Sequence, residues 1–309
     1  VNDDFRHPAG APGRQRQPPQ PPQLDPRRNA FRPDLAAQSL YGKVHAPRYS
    51  AGVPSQVNRS ALPLRKRPTV QAGFETEALF GETVTVYDEA EGWTWLQLDR
   101  DGYVGYVPSG MLSADVHVPT HRVRALGTFL YPAPDIKAPP LMHLSINSML
   151  NVVDADENFH KLRGGGFVVS RHVGPIDRIE RDFVEIAERF IGTPYLWGGR
   201  TRVGIDCSGL VQVSLEAAGF ACPRDTDMQQ AEVGAPVPVR PDLEGLRRGD
   251  LVFWKGHVGM MLDGIMLLHA NAHHMLVSVE TLPEAASRIA KTGSQILAVK
   301  RLPRLSATA

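Results

Sequence analysis

The chain has 309 residues, 42% hydrophobic and 22% charged, with 34 basic and 33 acidic side chains and a formal net charge of +1. That length accommodates two or three domains. The near-neutral balance offers no electrostatic footprint for nucleic acid or a membrane surface, and no apolar run approaches the length of a membrane span. The two cysteines are too few for a disulfide framework or a zinc knuckle. Cys207 sits at the start of a predicted helix and Cys222 past its end, beyond bridging distance. No histidine or carboxylate pairs fall at metal-ligand spacing, so no metal and no cofactor is expected.

The chain opens on Val1, which reads as processing or truncation, and residues 1–34 lack the apolar core of a signal peptide. Those residues carry eight prolines among Gln and Arg. They cannot bury enough surface to offset the entropy of ordering them, so 1–34 is expected to be a disordered arm and 35–57 a connector. From 58 to 116 the texture is short strands. Thr83 to Tyr87 alternates, and Trp93 to Leu98 and Tyr103 to Val107 are split by the turn Asp101-Gly102. GYVGYVPSGML (102–112) resembles the closing strands of bacterial SH3 domains. Residues 120–174 repeat the pattern in diverged form, so two tandem small β-barrels are expected.

Residues 180–302 change character. Phe183, Ile186, Ala187 and Phe190 share one face of a predicted helix. The stretch GTPYLWGGRTRVGIDCSGLVQVSLEAAG (192–219) then passes through turn-forming residues into a second helix. Asp206 is its predicted N-cap and Gly219 its predicted left-handed C-cap. A polar loop (220–247) leads into strands at 249–254, 257–262, 265–270, 276–279 and 295–301, with a helix at 283–290. Helices followed by an antiparallel sheet give an α+β domain.

Cys207 on the first helical turn is the predicted nucleophile, its pKa expected to be lowered by the helix dipole. Such a thiol needs a base and a group to orient that base. His257 and His269 are the candidates. A two-residue Asp263-Gly264 loop would set His257 opposite Ala270 and turn His269 to the other face. A three-residue Leu262-Asp263-Gly264 loop sets His257 directly opposite His269 and puts Gly264 at positive φ. If both histidines serve Cys207, the longer loop is predicted.

The segments GTPYLWGG, DCSGLV, PRDTDMQ, GDLVF, HVGMML and LLHA, in this order, resemble the NlpC/P60 family of papain-like cysteine peptidases across about 180–302. The resemblance implies hydrolysis of the γ-D-glutamyl–diamino acid bond in peptidoglycan stem peptides. By that likeness Cys207 matches the nucleophile, His257 the base, His269 the third polar group and Tyr195 the tyrosine facing the nucleophile. The subgroup with SH3 domains implies substrates with a free N-terminal L-Ala. Asp206, Ser208, Asp225 and Thr226 are then candidates to hold the ammonium, with Glu82 as the glutamate supplied by an SH3 domain. A cytoplasmic enzyme of murein peptide recycling is the expectation. The alternative is a secreted murein hydrolase that uses the barrels to bind the wall.

Overall fold

The computed structural model describes residues 24–240 and 242–303. Order begins well inside the expected arm. Strand Phe31–Arg32 pairs antiparallel with Leu35–Ala37, which runs parallel to Arg48–Ser50. Ala30, Leu35, Ala37 and Leu40 are buried against Trp95 of the following barrel, and the Arg32 guanidinium stacks over that indole at 4.7 Å. The expected disorder of 24–34 is therefore corrected, while residues 1–23 of the expected arm lie outside the described residues. Proline density averaged over 34 positions conceals a small apolar cluster whose cover comes from a distant tryptophan.

A seven-stranded sheet follows, in the order Leu112–Ser113, Val53–Val57, Thr83–Ala90, Trp93–Leu98, Val104–Pro108, Ala61–Arg65, Phe74–Leu79. Strand Val53–Val57, expected as connector, belongs to this sheet through Val53↔Val86 and its neighbours. Alternate residues Leu62, Leu64, Leu96 and Leu98 point into one core, closed by Val84, Tyr103 and Val107. Residues 121–175 form eight further short strands in three small sheets. These enclose a separate core of Val123, Leu130, Leu144, Leu150, Leu162 and Val168.

The C-terminal unit is a six-stranded antiparallel sheet. Its order is Ala235–Val237, Ala298–Arg301, Leu251–Trp254, His257–Met261, Met266–Asn271, Leu276–Thr281. The helices are α1 (Phe183–Glu188), α2 (Cys207–Ala217), α3 (Thr226–Glu232) and α4 (Leu282–Ala290). Helix α3 and the strand Ala235–Val237 occupy what reads as a polar loop in the sequence. Helix α2 is buried along nearly its whole length and packs on strand His257–Met261. Its ends form as expected: Asp206 accepts from the Gly209 N–H at 2.7 Å, and Gly219 takes φ +81°. A buried helix with fixed ends is a rigid mount for its first residue.

The two β units and the C-terminal unit meet across charged and polar contacts. Arg122 donates to the carbonyls of Glu216 and Ala217 at the C-terminal end of α2. Gln212 of α2 donates to Asp101 of the barrel at 2.9 Å. Gly198 marks the closest approach: a Cβ there would lie 2.8 Å from Phe74 Cβ, and its φ is +78°. Glycine at 198 thus lets the barrel strand Phe74–Leu79 abut the loop that precedes Cys207.

Candidate active site

Cys207 opens α2 and is buried, its sulfur approached by the backbone N–H groups of Val258 and Ser208. The Val258 contact places the thiol beside the first residues of the His257–Met261 strand. Burial and the adjacent Asp206 charge push the thiol up to about 11, against the two N–H groups and the Arg224 charge. The expected lowering is therefore corrected. A helix N-terminus is worth roughly 0.3–2 kcal/mol, and desolvation of a buried thiolate beside a carboxylate exceeds it.

The hairpin brings the two histidines together by a register that differs from the predicted one. Met260 pairs with Leu268 and Met261 with Leu267, and the Leu262 N–H donates to the Met266 carbonyl. The loop is therefore Asp263-Gly264-Ile265, one residue later than expected. Gly264 does not take a positive φ. Asp263 Oδ1 instead accepts from the N–H groups of Ile265 and Met266, both at 2.7 Å, and shapes the turn. The predicted and observed registers differ by two residues, and side chains alternate with period two. His257 and His269 consequently share a face as diagonal neighbours rather than direct partners, with His257 Nε2 2.9 Å from His269 Nδ1.

The relay continues past the residues found in the sequence. His269 pairs with Ser278 on the next strand, which puts Glu280 on the same face. His269 Nε2 lies 2.7 Å from Glu280 Oε1, and Arg288 of α4 grips both oxygens of that carboxylate. Burial alone would raise the Glu280 pKa; the hydrogen bonds from Arg288 and His269 outweigh it and lower it to about 2. An ionised Glu280 only accepts. His269 therefore donates from Nε2, accepts at Nδ1 from the His257 Nε2–H, and leaves His257 Nδ1 unprotonated. Burial, together with the neighbouring His269 and Arg288, lowers His257 to about 3, against the pull of Glu280. Burial lowers His269 to about 4, against its bond to Glu280. Both rings are neutral at physiological pH, as the relay requires.

A second network holds the other side of Cys207. Arg224, buried, donates to Asp206 Oδ2 and Ser208 Oγ, each at 2.7 Å, and to Thr76 Oγ1 of the barrel at 2.9 Å. Asp206 also accepts from the N–H groups of Gly198 and Gly209. Asp206 and Ser208 are thus bound in place by Arg224, a residue within the PRDTDMQ segment that sequence reasoning passed over. Asp225 precedes α3 and accepts from Tyr103 Oη at 3.1 Å and from Arg27 of the N-terminal segment at 2.9 Å. Arg27 also bonds Asp227 at 2.7 Å. Thr226, the first residue of α3, is buried in the cleft wall.

Glu82 is not part of this site. It is buried in an ion-pair cluster, 3.1 Å from both Arg200 and Arg100, which also bind Glu216 of α2. The barrel glutamate that reaches the cleft is Glu75. Its pKa is raised by burial and by Asp225, against the Lys66 charge. Glu82 follows a turn and Glu75 is the second residue of its strand, and nothing in their local sequence tells which one faces the neighbouring domain.

A cleft of about 410 Å³ has Glu75, Asp225, Thr226, Lys255, Gly256 and Leu297 in its walls, with Cys207 in its lining. Tyr195 lines it too, its phenol pKa pushed up by burial and by Cys207, so the hydroxyl stays a donor. The arrangement offers a thiol at the start of α2, an imidazole acceptor at the start of a neighbouring strand and hydrogen-bond donors in the cleft wall, the parts that acyl transfer needs.

Residues 192–292 match the model of the NlpC/P60 family, and residues 64–112 match that of the bacterial dipeptidyl-peptidase Sh3 domain. A γ-D-glutamyl-L-lysine dipeptidyl-peptidase of Bacillus subtilis (strain 168) is 29% identical over 235 residues, covering 68% of this chain and 77% of that one. The probable endopeptidase NlpC of Escherichia coli (strain K12) is 40% identical over 88 residues, 26% of this chain and 54% of its own. Among solved structures, an NlpC/P60 family protein from Bacillus cereus superimposes with a TM-score of 0.68 at 21% identity, covering 81% of this chain and all of that one. The match shows the same fold: an NlpC/P60 papain-like unit preceded by an SH3-like β domain.

Proposed function

We propose that this chain, which belongs to the NlpC/P60 family of cysteine peptidases, hydrolyses the γ-D-glutamyl–diamino acid bond of peptidoglycan-derived peptides bearing a free N-terminal L-Ala. The observation that carries the substrate reading is Glu75. Asp206 is held by Arg224, and Asp225 and Asp227 by Arg27. Glu75 lines the cleft and makes no ion pair among the described residues. A substrate ammonium supplies the missing charge. The second β unit, read as a diverged copy of the SH3-like domain, completes a tandem in this proposal.

In the proposed mechanism the thiol is neutral at rest, and its proton passes to His257 Nδ1 as Cys207 Sγ attacks the scissile carbonyl. The oxyanion is held by the Cys207 N–H and the Tyr195 hydroxyl, each such donor being worth about 3 kcal/mol. His269, oriented by Glu280, supports the imidazolium. His257 then protonates the departing amine, and water, deprotonated by His257, clears the acyl-enzyme. Asp206 and Ser208, fixed by Arg224, and Thr226 with Asp225 wall the substrate's N-terminal half. Glu75 of the SH3-like unit in the cleft wall narrows the substrates admitted toward short soluble peptides, which favours a cytoplasmic role in murein peptide recycling over action on intact wall.

The test is to incubate the protein with L-Ala-γ-D-Glu-diaminopimelate, with its N-acetylated form and with sacculi. Release of L-Ala-D-Glu from the free peptide alone is expected. Equal cleavage of the acetylated peptide, or solubilisation of sacculi, overturns the free-amine reading.

A further inference from the structure

The charges that line the cleft can be paired off. Among the described residues, Arg224 is taken by Asp206, and Arg27 by Asp225 and Asp227. One carboxylate and one cation remain, Glu75 and Lys255. Glu75 stands on the barrel strand among Asp225, Tyr103 and Arg224. Lys255 stands in the two-residue turn, Lys255-Gly256, that joins Trp254 to His257. Gly256 takes φ +69° and the Lys255 N–H donates to Ser294 Oγ at 3.1 Å, so the stem of the lysine is mounted on a fixed backbone. Its side chain is exposed and makes no ion pair among the described residues. Lys255 is thus a cation of the cleft lining with no carboxylate beside it among the described residues, and an anion is what satisfies it.

The position in the reaction follows from the neighbours. His257 has to reach the nitrogen that leaves, and Lys255 lies two residues before it in a tight hairpin. The group bound near Lys255 therefore belongs to the released residue. We propose that Lys255 binds a carboxylate of the leaving residue, so that the cleft reads an ammonium at one end of a short peptide and a carboxylate at the other. This deepens the reading of the previous section and rests on it. Two carboxylates can serve: the α-carboxylate of a C-terminal residue, or the side-chain carboxylate of diaminopimelate.

The experiment compares L-Ala-γ-D-Glu-meso-diaminopimelate and L-Ala-γ-D-Glu-L-Lys, each also as its α-amide, with wild type, Lys255→Gln and Lys255→Arg. The preference for carboxylate over amide should fall about tenfold in Lys255→Gln, the weight of a charged hydrogen bond, chiefly through KM, and return in Lys255→Arg. Loss on both free peptides, mimicked by amidation in wild type, assigns the α-carboxylate. Loss confined to the diaminopimelate peptides assigns the side-chain carboxylate. Wild-type cleavage with the same preferences in Lys255→Gln overturns the role of Lys255 alone. Cleavage of none of the peptides by wild type overturns the substrate reading and the role of Lys255 together. Because Lys255 is exposed, an unchanged urea midpoint is expected for both variants.

Discussion

Replacing Glu280 by glutamine separates the relay from the fold. Glu280 accepts from His269 at 2.7 Å and from Arg288 at 2.5 Å, and its folded pKa lies at about 2 against an ordinary 4.5. At about 1.4 kcal/mol per unit, that difference corresponds to about 3 kcal/mol of stability. A depressed carboxylate contributes fully above its unfolded pKa and loses its contribution as pH falls through the folded one. The stability gap between wild type and Glu280→Gln, read from urea unfolding, should therefore be constant above about pH 5 and shrink between about 4 and 2. Activity reads a different quantity. The amide still accepts from His269, so the tautomers survive, but the negative charge that supports a protonated His257 is gone. A charged hydrogen bond is worth about 1.5–3 kcal/mol, so kcat/KM should fall roughly ten- to hundredfold, mainly in kcat. Loss of stability with kcat within twofold of wild type would refute the relay and leave Glu280 a purely structural residue.

Alkylation of Cys207 by iodoacetamide in the free enzyme should accelerate steadily from pH 7 past 9 without a plateau, because the thiol is pushed up to about 11; a plateau below pH 7 would restore the resting ion pair. Arg224→Met strands the buried Asp206 carboxylate, and broken buried pairs cost about 3–5 kcal/mol, so a drop of under about 1 kcal/mol in urea unfolding contradicts the role given to Arg224. Glu75→Gln should raise KM for the free-amine tripeptide about tenfold and leave the thiol's alkylation rate unchanged, whereas Glu82→Gln should act on stability and not on KM. Cys207→Ala should abolish turnover with an unchanged unfolding midpoint.

Local chemistry carried much of this protein. Asp206 and Gly219 announce the ends of α2 through capping alone, and apolar spacing places the helix between them. The pairing of His257 with His269 follows from parity: any register shifted by two residues keeps both on one face, so the misplaced loop left the site intact. The strands at Met266–Asn271 and Leu276–Thr281 could be read, but the register that pairs them, and the reach of the second one past 279, could not. Glu280 becomes visible only once the third strand's register is known, since an isolated glutamate in LVSVET has no local mark of its role.

The remaining decisions belong to tertiary contact, and they are electrostatic. Whether a carboxylate is a ligand or half of a structural ion pair depends on which arginines it meets, and those come from other domains. Arg100 and Arg200 enclose Glu82, Arg27 reaches Asp225 from a stretch of chain that composition alone leaves unordered, and Glu75 is left facing the cleft. The thiol obeys the same rule. Helical position argues for a lowered pKa, but burial between α2 and the sheet is a property of the packed molecule, and it prevails because desolvating a charge costs more than a helix dipole returns. Residue order sufficed for the nucleophile and its histidines; the charges that tune and feed them were decided by how three units of the chain close upon one another.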